Sequence, residues 1–301
     1  MSLFCRNDAV SPMNQLLTTL RYYATNFHLQ SAANFGGFSK VTAHRIIQRV
    51  SASIAKLRPQ FITFPGSAEE RRKTQVQFYD IARFPRVIGA IDCTHVKICS
   101  PGSLIAEQFR NRKNYYSLNV QVIGNANLEI TDIVARWPGS AHDSNIFKNS
   151  VRGALFAGGN YQNNLLLGDA GYACSEYLLT PLDNPVYRHE HLYNESHIRT
   201  RNVVERLFGV WKRRFPVLAL GIRLHLQDAF SVIVATAVLH NILRGAGEDL
   251  PPDDPAVVNC PWDNLLADGQ MQENNGGGRQ GHVNRYAVRQ EILNYFRTIG
   301  P

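Results

Sequence analysis

Four carboxylates stand where carboxylates are awkward to place. Asp92 interrupts the apolar run Val87-Ile88-Gly89-Ala90-Ile91-Asp92-Cys93-Thr94-His95-Val96-Lys97-Ile98. A carboxylate buried without a partner is strongly unfavourable, so this position calls for a counter-charge or a cation. Asp169 closes a second apolar run, Leu165-Leu166-Leu167-Gly168-Asp169-Ala170-Gly171-Tyr172, where Asp-x-Gly is also ordinary turn chemistry. Glu205 lies in Arg201-Asn202-Val203-Val204-Glu205-Arg206-Leu207-Phe208-Gly209. On a helix its i±4 neighbours are Arg201 and Gly209, and Lys212 follows on the same face. Asn202-x-x-Glu205 reads equally well as a capping box, and so does Ser140-x-x-Asp143 for the fourth acid, Asp143.

Each acid alone has a structural explanation, but the set has a chemical one. Hard oxygen donors without a cysteine cluster suit Mg²⁺ or Mn²⁺ rather than zinc. Acids at the ends of neighbouring strands, joined by one from a helix, can hold two ions about 4 Å apart for in-line phosphoryl displacement. One ion would activate the attacking water or 3′-hydroxyl, and the other would stabilise the leaving oxygen. No G-x-S-x-G elbow and no G-x-x-x-x-G-K-[ST] loop occurs, which argues against a serine hydrolase and against ATP use.

These acids need elements to position them. From Arg86 the texture is strand-like: Val87 to Ile98, then Tyr116 to Ile123 and Ile130 to Trp137, the last two joined by a tight Asn125-Ala126-Asn127 turn. Helices are expected over His142 to Phe156, Asn202 to Arg214 and Ala229 to Leu243, with a short buried strand at Leu165 to Gly168. Strands alternating with helices make this an α/β domain, placed at residues 87–245. Lys212, Arg213 and Arg214 at the end of one helix are candidate phosphate grips; the alternative is a solvated, dipole-favoured helix end.

The N-terminal part reads as helical. Leu16, Leu17, Leu20, Tyr23 and Ala24 repeat at helical spacing, and Leu29 to Asn34 makes a second short helix. Gly36-Gly37 breaks the chain, and Ser39 N-caps Lys40 to Leu57, with Val41, Ile46, Ile47 and Val50 on its apolar side. This is a helix-turn-helix pattern over residues 1–60, with Lys40, Thr42 and Arg45 as the DNA-facing residues. A dimerisation element giving a homodimer is the alternative. A linker rich in breakers and charge follows at residues 61–86, and residues 246–301 read as an acidic, partly disordered tail in which Ala287 to Phe296 could dock as a helix.

The chain of 301 residues is 44% hydrophobic and 19% charged, the composition of a globular protein. Its net charge of +8 is uneven: residues 1–86 carry +8, residues 87–244 carry +4 and residues 245–301 carry −4. A basic N-terminal third suggests a polyanion partner. Five scattered cysteines without C-x-x-C argue against a disulfide framework or zinc ribbon and for a reducing, intracellular compartment. No apolar run reaches the length of a membrane span, and the first residues lack a signal-peptide core.

The segments GAIDCTHVKI, NRKNYYSLNVQVI, VARWPGSAHDSNIF, LLLGDAGY, LLTPL and RTRNVVERLFGVWKRRF together resemble the PIF/Harbinger superfamily of DDE transposases, in order from about Arg86 to Leu243. The branch resembled most is that of the domesticated Harbinger transposase-derived nucleases. LLTTLRYYATNFHLQ and GGFSKVTAHRIIQRV resemble that family's helix-turn-helix region, which in family members has more sequence before it. The resemblance implies an RNase H-like fold: a mixed five-stranded sheet flanked by helices, three antiparallel strands followed by parallel ones, with the first and fourth adjacent. By motif, Asp92, Asp169 and Glu205 match the D, D and E of the triad, and Asp143 matches the acid of an H-D-S block as a fourth metal ligand. The implied activity is metal-dependent DNA endonuclease chemistry. Strand transfer by an active transposase, and a DNA-binding scaffold that keeps the site unused, are the alternatives. The resemblance further implies DNA as partner, a Myb-like DNA-binding partner protein, and a location in nucleus and cytoplasm.

Overall fold

In the computed structural model, residues 10–25, 37–248 and 286–299 are described. The expected helix Leu29 to Asn34 and most of the acidic tail lie outside them. Helix α1 (Pro12–Thr25) leads to α2 (Lys40–Ala55), whose N-cap Ser39 accepts a hydrogen bond from the Thr42 backbone N–H at 3.1 Å. Gly37 precedes the cap with φ +69°, a conformation that favours glycine. The stretch read as a linker contains a further helix, α3 (Ala68–Ala82). Its start is set by a Ser67/Glu70 capping box, and its end by Arg83 in the left-handed region.

Strands β1 (Val87–Lys97), β2 (Ser117–Gly124) and β3 (Ile130–Pro138) form an antiparallel meander. The β2–β3 turn is fixed by Asn125, whose Oδ1 accepts from the backbone N–H groups of Asn127 and Glu129, with Leu128 at φ +60°. The helix expected over His142 to Phe156 is two helices, α4 (Asp143–Lys148) and α5 (Val151–Ala157). Ser150 ends the first and caps the second, its hydroxyl accepting from Gly153 N–H. Strands β4 (Leu165–Leu167) and β5 (Leu178–Leu179) follow, then the long helix α6 (Arg188–Arg214), α7 (Leu226–Gly245) and α8 (Ala287–Ile299).

The sheet order is β3-β2-β1-β4-β5, with β1 parallel to β4 and β4 parallel to β5. This is the mixed five-stranded sheet, flanked by helices, that the family resemblance implies. A register irregularity between Val87 and Gly89 resets the alternation of β1. Beyond it Ala90 and Val96 join the larger core cluster with α6, while Ile91 joins the smaller one with Ile123, Leu166 and Phe147. The period of two then puts Asp92 and Thr94 on the α6 side. Helix α6 lies so close to the sheet that a Cβ on Gly124 would come 2.7 Å from Leu207 Cδ2. Trp211, Val204 and Leu207 are fully buried beneath it.

The N-terminal helices pack into the same core cluster through Tyr22, Tyr23, Ile47 and Ile54. The face of α1 differs from the apolar spacing: Thr18, Thr19, Tyr22 and Tyr23 turn inward, while Leu16 and Leu17 are exposed. Both threonine hydroxyls are satisfied by carbonyls one turn back, and Tyr23 donates or accepts at Ser51 Oγ, 2.6 Å away, with its ring edge-on to Phe215. Satisfied polar groups are cheap to bury, so aromatic area decides the face. On α2, Ile46 and Ile47 are buried as expected and Val41 is exposed. Helix α7 is apolar on nearly every side because α2 packs on one flank and β3 on another.

Candidate metal centre

Parallel pairing of β1 with β4 matches Ala90 to Leu167. Two residues further along each strand come Asp92 and Asp169, so the register brings them level. Asp143 arrives from the first residue of α4. One carboxylate oxygen from each of Asp92, Asp143 and Asp169 lies within 4.8 Å of the others, and all three residues are half-buried.

The local structure removes two of the capping alternatives. The N-cap of α4 is His142, without a side-chain cap, and Asp143 Oδ1 instead accepts from Asn119 Nδ2 at 2.8 Å. Asn202 sits in the middle of α6, so Asn202-x-x-Glu205 caps nothing. Turn chemistry and site chemistry coexist at Asp169, whose Oδ1 accepts from Gly171 N–H at 3.0 Å.

Glu205 is placed differently from the three aspartates. Its Oε1 accepts from Arg201 Nη2 at 2.6 Å, and Arg201 Nη1 lies 3.5 Å from Asp92 Oδ2. Arg201 thus joins the helix acid to the strand acid. Burial opposes its charge, but Glu205, Asp92 and Asp169 together outweigh that and raise its pKa. Burial raises the pKa of Asp92, to about 8; Arg201 opposes the shift and Asp169 adds to it. Asp169 is raised by burial too, again against Arg201, with Asp143 adding. Acidic groups crowded in this way gain most from a cation.

Around the aspartates runs a polar frame that the sequence reading did not single out. Gln121 Nε2 donates to the Asp143 carbonyl at 3.2 Å and to Tyr172 Oη at 3.0 Å. Ser144 Oγ donates to Gly171 O at 2.7 Å and accepts from Ala173 N–H at 3.1 Å, tying α4 to the loop after Asp169. The signal was present: Asn119 and Gln121 are amides two apart in the otherwise apolar strand SLNVQVIG, and buried amides need partners.

The basic residues divide. Lys40 and Arg45 are exposed on α2, whereas Thr42 is half-buried with its hydroxyl 3.0 Å from Ser39 Oγ. Lys212 is drawn inward: its Nζ donates to Thr94 Oγ1 at 2.5 Å and to His95 O at 3.2 Å, and burial, then Lys113, lowers its pKa to about 8. Arg214 pairs with Glu248 at 3.1 Å, and Arg213 is half-buried. Arg112 lies 3.2 Å from His142 Nδ1, beside Asp143.

Residues 91–241 match the family model described as DDE superfamily endonuclease. The Mus musculus protein named "Putative nuclease HARBI1" is 31% identical over 248 residues, 81% of this chain and 71% of the relative. Its Homo sapiens counterpart is 29% identical over the same shares. An Arabidopsis thaliana protein named ALP1-like is 21% identical over 264 residues, 82% of this chain and 64% of its own. No solved structure matches the chain.

Proposed function

The chain belongs to the DDE superfamily endonucleases, in the branch of Harbinger transposase-derived nucleases, and on that premise we propose that it is a metal-dependent endonuclease that hydrolyses phosphodiester bonds in DNA on an RNase H-like fold. The observation that carries this is the convergence of Asp92, Asp143 and Asp169 oxygens within 4.8 Å, at the end of a sheet whose first and fourth strands are adjacent. The residues fit a divalent cation: three hard oxygen donors, raised pKa values at two of them, and an amide that orients the third.

Asp92, Asp143 and Asp169 would hold one Mg²⁺ or Mn²⁺, and Glu205 with Asp92 would hold a second. The ions would supply a polarised water and neutralise the charge that develops on the leaving oxygen. The chain's own residues do the positioning. Asn119 fixes the Asp143 carboxylate, and Ser144 fixes α4 against the Asp169 loop. Arg112, 3.2 Å from His142 Nδ1, puts positive charge beside Asp143, where a phosphate backbone must approach.

In this reading Lys40, Thr42 and Arg45 of a helix-turn-helix-like N-terminal region add DNA affinity, with Arg213 a further contact and Lys212 and Arg214 chiefly anchors of α6. A Myb-like partner protein and a nuclear and cytoplasmic location belong to the same reading. The test is cleavage of supercoiled plasmid with Mg²⁺ or Mn²⁺, wild type beside Asp92→Asn. Metal-dependent nicking that the variant loses is expected. A variant that cuts at the wild-type rate sinks the assignment. Intact DNA with both proteins would favour a scaffold that keeps its site unused.

A further inference from the structure

Arg201 is a residue that the metal chemistry does not require. It lies one helical turn before Glu205 and is only 8% exposed. Two of its nitrogens face carboxylates, Nη2 at 2.6 Å from Glu205 and Nη1 at 3.5 Å from Asp92. Its third, Nε, is buried without a hydrogen-bond partner. The guanidinium is therefore held by acids, and what it bridges is the pair that a second ion would have to bridge.

Glu205 stands apart from the three aspartates for the same reason: its carboxylate is turned to the arginine. A guanidinium and a divalent ion cannot share one carboxylate pair in a half-buried site without strong repulsion. The two cation positions therefore differ. Arg201 stands at the edge of the position among Asp92, Asp143 and Asp169, 3.5 Å from Asp92, whereas the position between Asp92 and Glu205 is filled by the protein itself.

We propose that Arg201 is a positioning residue that fills the second cation position and holds Glu205 away from the first, so that the protein without DNA takes a single divalent ion. The second ion enters when the guanidinium leaves. A DNA phosphate is the chemical group suited to draw it off, because guanidinium binds phosphate through two parallel hydrogen bonds and is weakly hydrated. Hydrolysis would then be confined to a site that already contains its substrate. This inference rests on the carboxylates binding metal, as proposed above.

The experiment is calorimetric titration of the full chain with Mn²⁺ alone, wild type beside Arg201→Gln, with folding checked by circular dichroism. Low-temperature electron paramagnetic resonance then separates isolated Mn²⁺ from a spin-coupled pair. The expected result is one isolated ion in wild type and a coupled pair in Arg201→Gln. A purely structural arginine would change melting temperature and leave the ion count alone. Wild type that already binds a coupled pair overturns the proposal, and so does a folded variant that stays at one ion. If Arg201→Gln does not fold, Arg201→Lys should admit the second ion at millimolar Mn²⁺, because one ammonium cannot bridge both carboxylates; a single ion there overturns it too. No binding by any of the proteins would instead sink the reading of the metal centre.

Discussion

Asp92 illustrates at the scale of one residue how a candidate metal ligand works against the fold that contains it. Burial holds its carboxyl protonated up to about pH 8, although Arg201 pulls the other way. The unfolded chain releases the same proton near the ordinary value of about 4. Between those limits the folded state binds more protons. The stability associated with the protonated form is complete below about pH 4 and is lost as pH rises to about 8. Asp92→Asn removes the titration while keeping the shape. In the presence of a chelator at pH 8 it should melt higher than wild type, on the order of 3 °C for a domain of this size. Calorimetry at pH 5 and pH 8 checks this, because the gain should shrink at the lower pH. An unchanged or lower melting temperature at pH 8 would show that Asp92 is well paired without metal.

At the scale of elements, the site depends on short polar ties between pieces that are themselves apolar. Helix α4 is only six residues long and carries Asp143 at its first position, so its placement relies on what anchors it. Phe147 packs into the smaller core cluster, and Ser144 makes both hydrogen bonds to the loop after Asp169. Ser144→Ala should cost about 1 kcal/mol of stability, the usual net value of such bonds. Its effect on metal affinity should be larger than that on stability, with Mn²⁺ binding weakened several-fold, because the distance from Asp143 to Asp169 is no longer fixed. Titration calorimetry beside thermal melting separates the two effects. Equal Mn²⁺ affinity in variant and wild type would show that α4 is held by Phe147 alone.

Two buried histidines tie α6 and α7 to the rest of the molecule. His197 on α6 has Nε2 3.0 Å from Leu179 O, at the end of β5, and His240 on α7 has Nε2 2.7 Å from Leu128 O, in the β2–β3 turn. Burial lowers their pKa values, to about 3 and about 4. The unfolded chain takes up these protons near pH 6.5 and the folded chain refuses them. Stability is therefore unaffected by them above about pH 6.5 and falls as pH drops toward 4. His197→Asn, which keeps a donor for the carbonyl, should flatten part of that fall in melts recorded from pH 7 to pH 4.5. A slope as steep as that of wild type would place the acid sensitivity elsewhere. The C-terminal helix joins the same body, with Phe296 against Phe84 and Tyr193.

What the sequence determined by itself was local or periodic. Strand β1 and its misplaced acid, the Ser39 cap, the long apolar α7 and the docking α8 follow from alternation, capping chemistry and amphipathic spacing, which act over a few residues. Asp92 and Asp169 were legible as candidates because they break apolar runs, and Glu205 was singled out from its capping-box reading only by the resemblance. Tertiary structure decided the rest. Whether Asp143 caps a helix or joins the site depends on Asn119, a residue of another strand. Whether Glu205 faces metal or arginine depends on how α6 crosses β1. Lys212 turned inward because Thr94 and the His95 carbonyl lie beneath it, and α1 turned Leu16 and Leu17 outward because tyrosine rings filled the core. Each of these outcomes is a competition between partners far apart in the chain. A local pattern states which groups need partners; only the packed sheet and helices fix which partner each one meets.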